Sequence, residues 1–245
     1  MSLLILWMTF LTMNLLPVFQ AIRTNPSVLR QNLPAMVAKL HAQGNAAAQG
    51  TGNMPTVQEA CFASLLEANG FRFQSKNAPF PTAPGNYYYY QANGSQQSID
   101  FRVIKTDGKD VIRAVDLDLK HTTSDVFFLN DGWFHKDVIY IVTWTRRTSL
   151  PKKKPITSEV ATFIGLGQDI CSAAENDLMN RLLIEKKKLN TEFKGVESLS
   201  IYVRFANRYK CDRFTPEFTE TRFAAVNKYV HSSSVSGSSV ASSVA

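Results

Sequence analysis

Two acids and a lysine alternate along one apolar stretch: Asp116, Asp118 and Lys120 in DVIRAVDLDLK (110–120). Successive side chains of a strand point to opposite faces. These three therefore share a face, and Val115, Leu117 and Leu119 take the other. A second apolar stretch, SIDFRVIKT (98–106), carries Asp100. Asp107-Gly108-Lys109 between the two stretches is a hairpin signal. With the turn centred near residue 108, the numbers of cross-strand partners sum to roughly 216–218. An even register sets Asp100 opposite Asp116 or Asp118 on the acidic face, and a slip of one residue sends it to the other face.

Carboxylates gathered on a sheet face repel one another and lose hydration, so they need a counter-charge. A hard divalent cation supplies one: Mg2+ takes carboxylate oxygens, waters and substrate phosphates. A lysine beside it can orient or deprotonate an attacking water while the ion stabilises charge on a phosphate. This residue set suits phosphodiester hydrolysis. It also suits a solvated sheet face with a cross-strand ion pair, and spacing alone leaves both readings open.

The chain has 245 residues, 44% hydrophobic and 19% charged, which supports a packed core and excludes global disorder. Its formal net charge of +7 favours a polyanionic partner. Cys61, Cys171 and Cys211 are widely spaced, form no C-x-x-C pair and read as reduced thiols of an intracellular protein.

Several elements must position the acidic face. TVQEACFASLLEAN (56–69) reads as a helix with a Thr56/Glu59 capping box, Gly70 at its end, and Val57, Ala60, Cys61, Ser64, Leu65 and Ala68 inward. Residues 27–43 read as a helix or two short helices broken near Pro34, and 44–55 as a loop. The stretch 75–97 is loop-like, with a short strand through Tyr87 to Tyr90. VIYIVTW (138–144) is a third strand, followed by a basic loop with Arg146, Arg147 and Lys152 to Lys154. A long helix over 167–192 and a strand over 199–205 follow. The expected class is α/β, with a mixed sheet flanked by helices.

Three segments are expected: an apolar, helical N-terminal piece (1–43), a main domain (44–231) and a disordered Ser-rich tail (232–245). Residues 2–22 are apolar, but no Lys or Arg precedes them, and Asn14 and Pro17 interrupt the run. Core packing is the first expectation, a mis-set start (Met8 and Met13 are alternatives) or unstructured extension the second, and a signal or membrane anchor the least, with no stable membrane partner.

The pairing of I-D-F (99–101) with D-L-D-L-K (116–120) resembles the bipartite signature of PD-(D/E)xK nucleases, with Ile99 in the proline position. The separation of 18 residues between Asp100 and Asp118 is typical of that family. GTGNMPTVQEACFASLLEANGF (50–71) resembles the helix preceding this core in type II restriction endonucleases, and LNDGWF (129–134) running into DVIYIV (137–142) resembles their next strand. The resemblance spans about residues 44–145 and implies a restriction-endonuclease-like core. It also implies Mg2+-dependent, sequence-specific cleavage of double-stranded DNA leaving 5′-phosphates. A repair or structure-specific nuclease on the same core is the alternative, and a non-enzymatic basic DNA-binding protein is another.

By that resemblance Asp100, Asp118 and the Leu119 carbonyl hold the metal and Lys120 serves the water. Glu59 matches an acid that some members supply from the preceding helix, though the capping box explains it as well. Asp116 is an extra acid that either joins the metal site or holds Lys120. Asn130, Asp131, His135, Arg146 and Arg147 are candidates for reading base edges, and Lys152, Lys153 and Lys154 for phosphates. A homodimer on palindromic sites and a paired DNA methyltransferase are the implied partners.

Overall fold

The computed structural model describes residues 13–43, 56–92, 99–130, 133–148, 157–194 and 206–232. In chain order they form helix α1 (Leu16–Thr24), a 3-10 turn (Pro26–Arg30), α2 (Pro34–Gln43) and α3 (Val57–Ala68). Strands β1 (Arg72–Phe73), β2 (Gly85–Tyr90), β3 (Phe101–Thr106), β4 (Val111–Thr122), β5 (Val126–Asn130), β6 (Val138–Thr148) and β7 (Thr157–Leu166) follow. Helices α4 (Gly167–Ile170) and α5 (Ala173–Lys194), strand β8 (Ala206–Lys210), a second 3-10 turn (Cys211–Arg213) and α6 (Pro216–His231) complete them. Six strands make one mixed sheet in the order β1-β2-β3-β4-β6-β7, and β5 and β8 form a separate antiparallel ribbon. The class is α/β with helices against the sheet.

The β3–β4 hairpin is set by its turn. Asp107 Oδ1 accepts the backbone N–H groups of Lys109 and Asp110, each at 2.8 Å. Gly108 stands at φ 97°, where a Cβ would also lie 2.5 Å from the Thr82 carbonyl oxygen. From Phe101↔Leu117 to Lys105↔Arg113 the partner numbers sum to 218, the even register, before a shift between Lys105 and Thr106. Carried one residue on, that register sets Asp100 level with Asp118. β4 then runs parallel to β6, with Asp118 beside Tyr140 and Lys120 beside Val142.

Each sheet face covers its own core. On one, Phe101, Val103, Val115, Leu117, Leu119, Ile139 and Ile141 meet α1, α3 and α6 through Phe19, Phe62 and Val226. Phe62 packs edge-on to Phe101 at 5.0 Å, and truncating either ring to alanine is expected to cost about 3–5 kcal/mol. On the other face, Val138, Tyr140, Val142 and Trp144 pack under Phe127, Leu129 and Tyr209 of the ribbon and under Phe214. Met13, Leu15, Val18, Phe19 and Ile22 lie in the first core, so the described part of the N-terminal piece shares a core with the main domain. Among the described residues no helix is long and apolar enough to cross a membrane.

Several elements differ from the sequence reading. Helix α3 buries Phe62, Ala63 and Leu66 as well as Ala60 and Cys61, and leaves Val57 exposed, because it is enclosed by the 3-10 turn, α2 and the sheet. Arg146 and Arg147 continue strand β6 rather than opening a loop, because β7 pairs with β6 as far as Thr148. The long helix divides at Cys171 and Ser172. There Ser172 Oγ accepts the Glu175 N–H at 3.2 Å and Glu175 Oε2 accepts the Ser172 N–H at 2.8 Å, a capping box that starts α5. Strands β5, β7 and β8 and helix α6 have no counterpart in that reading. The expected strand over 199–205, the loop 44–55 and tail residues 233–245 lie outside the described residues.

Candidate active site

The strand alternation puts Asp118 and Lys120 on one face of β4, and the sheet buries the first almost wholly. Asp118 is 1% exposed. Lys120 Nζ donates to Asp118 Oδ1 at 2.7 Å, while Asp118 Oδ2 is buried without a hydrogen-bond partner. Asp100 joins from the end of β3. Its N–H donates to the Leu117 carbonyl at 3.0 Å, and its Oδ2 accepts the Leu119 N–H at 2.7 Å. Asp100 is thereby tethered to the backbone between Asp118 and Lys120.

The electrostatics follow from that packing. Burial drives the Asp118 carboxyl well above its ordinary range; Lys120 opposes this, and the Asp100 charge adds to it. Burial works against the charged form of Lys120, yet the summed attraction of Asp118, Asp100 and Glu59 outweighs it, and the ammonium is held above its usual value. Glu59, in the first turn of α3, is pushed up to about 7 by burial and then by Asp100, against hydrogen bonds from Thr56 and Tyr90. Its capping-box role is also present: Thr56 Oγ1 accepts the Glu59 N–H at 3.2 Å, and the Glu59 carboxylate accepts the Thr56 N–H. Capping and proximity to the acids coexist in one residue.

Asp116 does not belong to this group, although it shares the face. Arg102 stands opposite it in the register and holds both its oxygens, Nε to Oδ1 at 2.7 Å and Nη2 to Oδ2 at 2.8 Å. Lys120 is held by Asp118 and not by Asp116. The third acid acting on Asp100 and Lys120 is Glu59.

Among the described residues, the expected DNA-reading positions lie on separate stretches of backbone. His135 is exposed ahead of β6, whereas Arg146 and Arg147 lie near the far end of that 11-residue strand, roughly 25–35 Å away. Asn130 ends β5. Asp131 and Lys152 to Lys154 lie outside the described residues. A cavity of about 520 Å³ lies beyond the end of β4, lined by Thr123, Ser124, Asp125, Trp144, Thr145, Cys211 and Asp212, and none of the acids around Lys120 lines it.

Five residues around the site were not assigned to it by the sequence reading. Arg102 could have been found from the register sum, which pairs it with Asp116. Tyr90, whose hydroxyl accepts from Gln91 Nε2 at 3.0 Å, hydrogen-bonds Glu59, and its phenol is pushed up by burial and then by Glu59 and Asp100. Gln58 Nε2 donates to Thr143 Oγ1 at 3.1 Å, and His121 Nδ1 lies 3.1 Å from the same oxygen. That link between α3, β4 and β6 is made by tertiary packing and leaves no local pattern.

The donor set fits a hard divalent cation. A buried carboxylate oxygen without a partner lies in the field of a second carboxylate, and such a pair must either share a proton or meet a positive charge. Among the described residues no three His, Cys, Asp or Glu side chains converge into a complete ligand set, so waters and substrate oxygens would supply the remainder. No model of a known protein family matches the chain, and neither does any curated protein or solved structure.

Proposed function

We propose that this chain is a Mg2+-dependent endonuclease acting on double-stranded DNA, with a restriction-endonuclease-like core and its reaction centre at Asp100, Asp118 and Lys120. The observation that carries the reading is the unpartnered Oδ2 of Asp118, a buried carboxyl oxygen beside Asp100 with a cation only on the other oxygen. The net charge of +7 and the order of acidic hairpin followed by a parallel apolar strand support it.

Asp118, Asp100 and the Leu119 carbonyl would hold the ion, with Glu59 as a further acid on the same centre. Bound there, Mg2+ would supply positive charge against the phosphate and lower the pKa of the attacking water. Lys120, held in its charged form by three acids, acts as a fixed positive donor for the water or a phosphate oxygen rather than as a proton acceptor. Glu59, poised near 7, is suited to exchange a proton near neutrality. Asp116, tied to Arg102, holds the β3–β4 hairpin and leaves the metal to the others.

The finer reading is a type II restriction enzyme: sequence-specific, homodimeric on palindromic sites, leaving 5′-phosphates and accompanied by a methyltransferase. Digestion of unmodified viral DNA with Mg2+, followed by sequencing of the ends, tests it. Discrete fragments sharing one end sequence are expected. Uniform degradation, or cutting only at branches, would instead make it a structure-specific nuclease. Duplex binding that persists in EDTA with no cleavage under any divalent cation would make it a DNA-binding protein.

A further inference from the structure

Only Thr123, Ser124 and Asp125 separate β4 from β5. The β5/β8 ribbon alternates as a strand pair must: Phe127, Leu129 and Tyr209 are buried against the sheet, while Val126, Phe128, Arg208 and Lys210 lie on the opposite side. The register pairs Phe128 with Arg208 and Val126 with Lys210. Arg208 and Lys210 are exposed, and Phe128 is 47% exposed. The Arg208 guanidinium lies 5.4 Å from the Phe128 ring centroid, a cation–π contact that restrains the side chain on this exposed face.

We propose that this outer face binds double-stranded DNA, the ribbon entering the major groove and Arg208 and Lys210 contacting the duplex. The inference rests on the reading of the centre at Asp118 as a DNA-cutting site. Three features on the ribbon favour this occupant. Two cations stand side by side with no carboxylate paired opposite them in the register, so a polyanion complements the face. A two-stranded ribbon fits a groove about 12 Å wide, whereas a single strand offers no such groove. The ribbon also packs on the sheet face on which Asp118 and Lys120 lie, which puts it on the same side of the sheet as the proposed centre. Asp125 and Asp212 flank the end of the ribbon where Val126 pairs with Lys210 and line the cavity with Trp144, which bounds the run of phosphate contacts just past Lys210.

The test is binding of a labelled duplex in EDTA, where no cutting occurs, read by fluorescence anisotropy across a salt series. It compares the wild type, R208Q/K210Q and the charge-conserving R208K, each at a temperature where circular dichroism shows it folded. R208Q/K210Q should bind about tenfold or more weakly, with a log–log salt slope shallower by about 2. R208K should keep the wild-type slope, because it keeps the charge. A wild type that binds and cuts, with R208Q/K210Q unchanged in affinity and slope, overturns the ribbon assignment alone. Preference of the wild type for single strands or RNA over the duplex also overturns it. A wild type that neither binds nor cuts duplex DNA overturns the functional reading beneath it.

Discussion

The Asp100 carboxylate accepts a 2.7 Å hydrogen bond from the backbone N–H of Leu119, the residue between Asp118 and Lys120. One bond thus fixes the side chain of one hairpin strand to the backbone of the other, at the point where the acids meet. It places Asp100 near Asp118 without a cation between them, while Lys120 occupies only Oδ1 of Asp118. The hairpin stores a negative site that a divalent ion would relieve.

Asp118→Asn should abolish DNA cleavage, by about a thousandfold or more, and should raise the thermal midpoint of metal-free protein by a few degrees. The sign follows from burial: a carboxyl held well above its ordinary range makes the folded state favour the neutral form. Lys120→Ala should behave oppositely and lose stability, most at alkaline pH, because the buried Asp118 carboxyl loses the ammonium that opposes its desolvation. The double variant D118N/K120A should recover much of that loss. Urea denaturation of the three proteins measures it, and equal stabilities for K120A and the double variant would contradict the pairing.

Asp116→Asn should retain cleavage within roughly tenfold of wild type and cost about 1 kcal/mol of stability, since its carboxylate serves Arg102. Loss of activity as complete as in D118N would return Asp116 to the metal site.

Metal-free protein should lose stability as pH rises from about 5 to 8. Glu59 has a folded pKa of about 7 against an ordinary carboxyl value of 4.5. Its contribution is therefore fully present below 4.5 and is lost as pH climbs through 7. Glu59→Gln keeps the capping-box geometry and should flatten this dependence. Added Mg2+ should stabilise the wild type more at pH 8 than at pH 5, because protons on Asp118 and Glu59 compete with it. Thermal midpoints across pH, with and without Mg2+, check both statements.

Gly108→Ala should destabilise the protein by about 1 kcal/mol or more and lower activity in parallel. A Cβ there meets the Thr82 carbonyl oxygen at 2.5 Å in a backbone conformation that L-residues rarely adopt. A variant with unchanged stability but lost activity would place Gly108 in a different role.

The hairpin was legible because three local signals agree: the D-G turn, the alternation of 110–120, and the T-x-x-E cap ahead of α3. The class followed from them; the register was left open between even and slipped, and the strand pairing is even. The partner of Asp116 was missed because alternation assigns a face but not a partner; Arg102 holds it across the strand. The split between α4 and α5 was legible in S-A-A-E at 172–175, yet the longer apolar periodicity masked it. Strands β5 and β8 are five residues each and pair across some eighty positions, so no local pattern announces them. Glu59's approach to Asp100 depends on how α3 docks, which spacing alone does not encode.

The most direct measurement is the initial rate of Mg2+-dependent cleavage of unmodified duplex DNA by the wild type, Asp118→Asn and Asp116→Asn, with folding of each confirmed by circular dichroism. The wild type and Asp116→Asn should cut, with cutting abolished by EDTA, while folded Asp118→Asn should not. Cleavage by Asp118→Asn at the wild-type rate, or a folded wild type inert with both Mg2+ and Mn2+, would contradict the assignment of the centre.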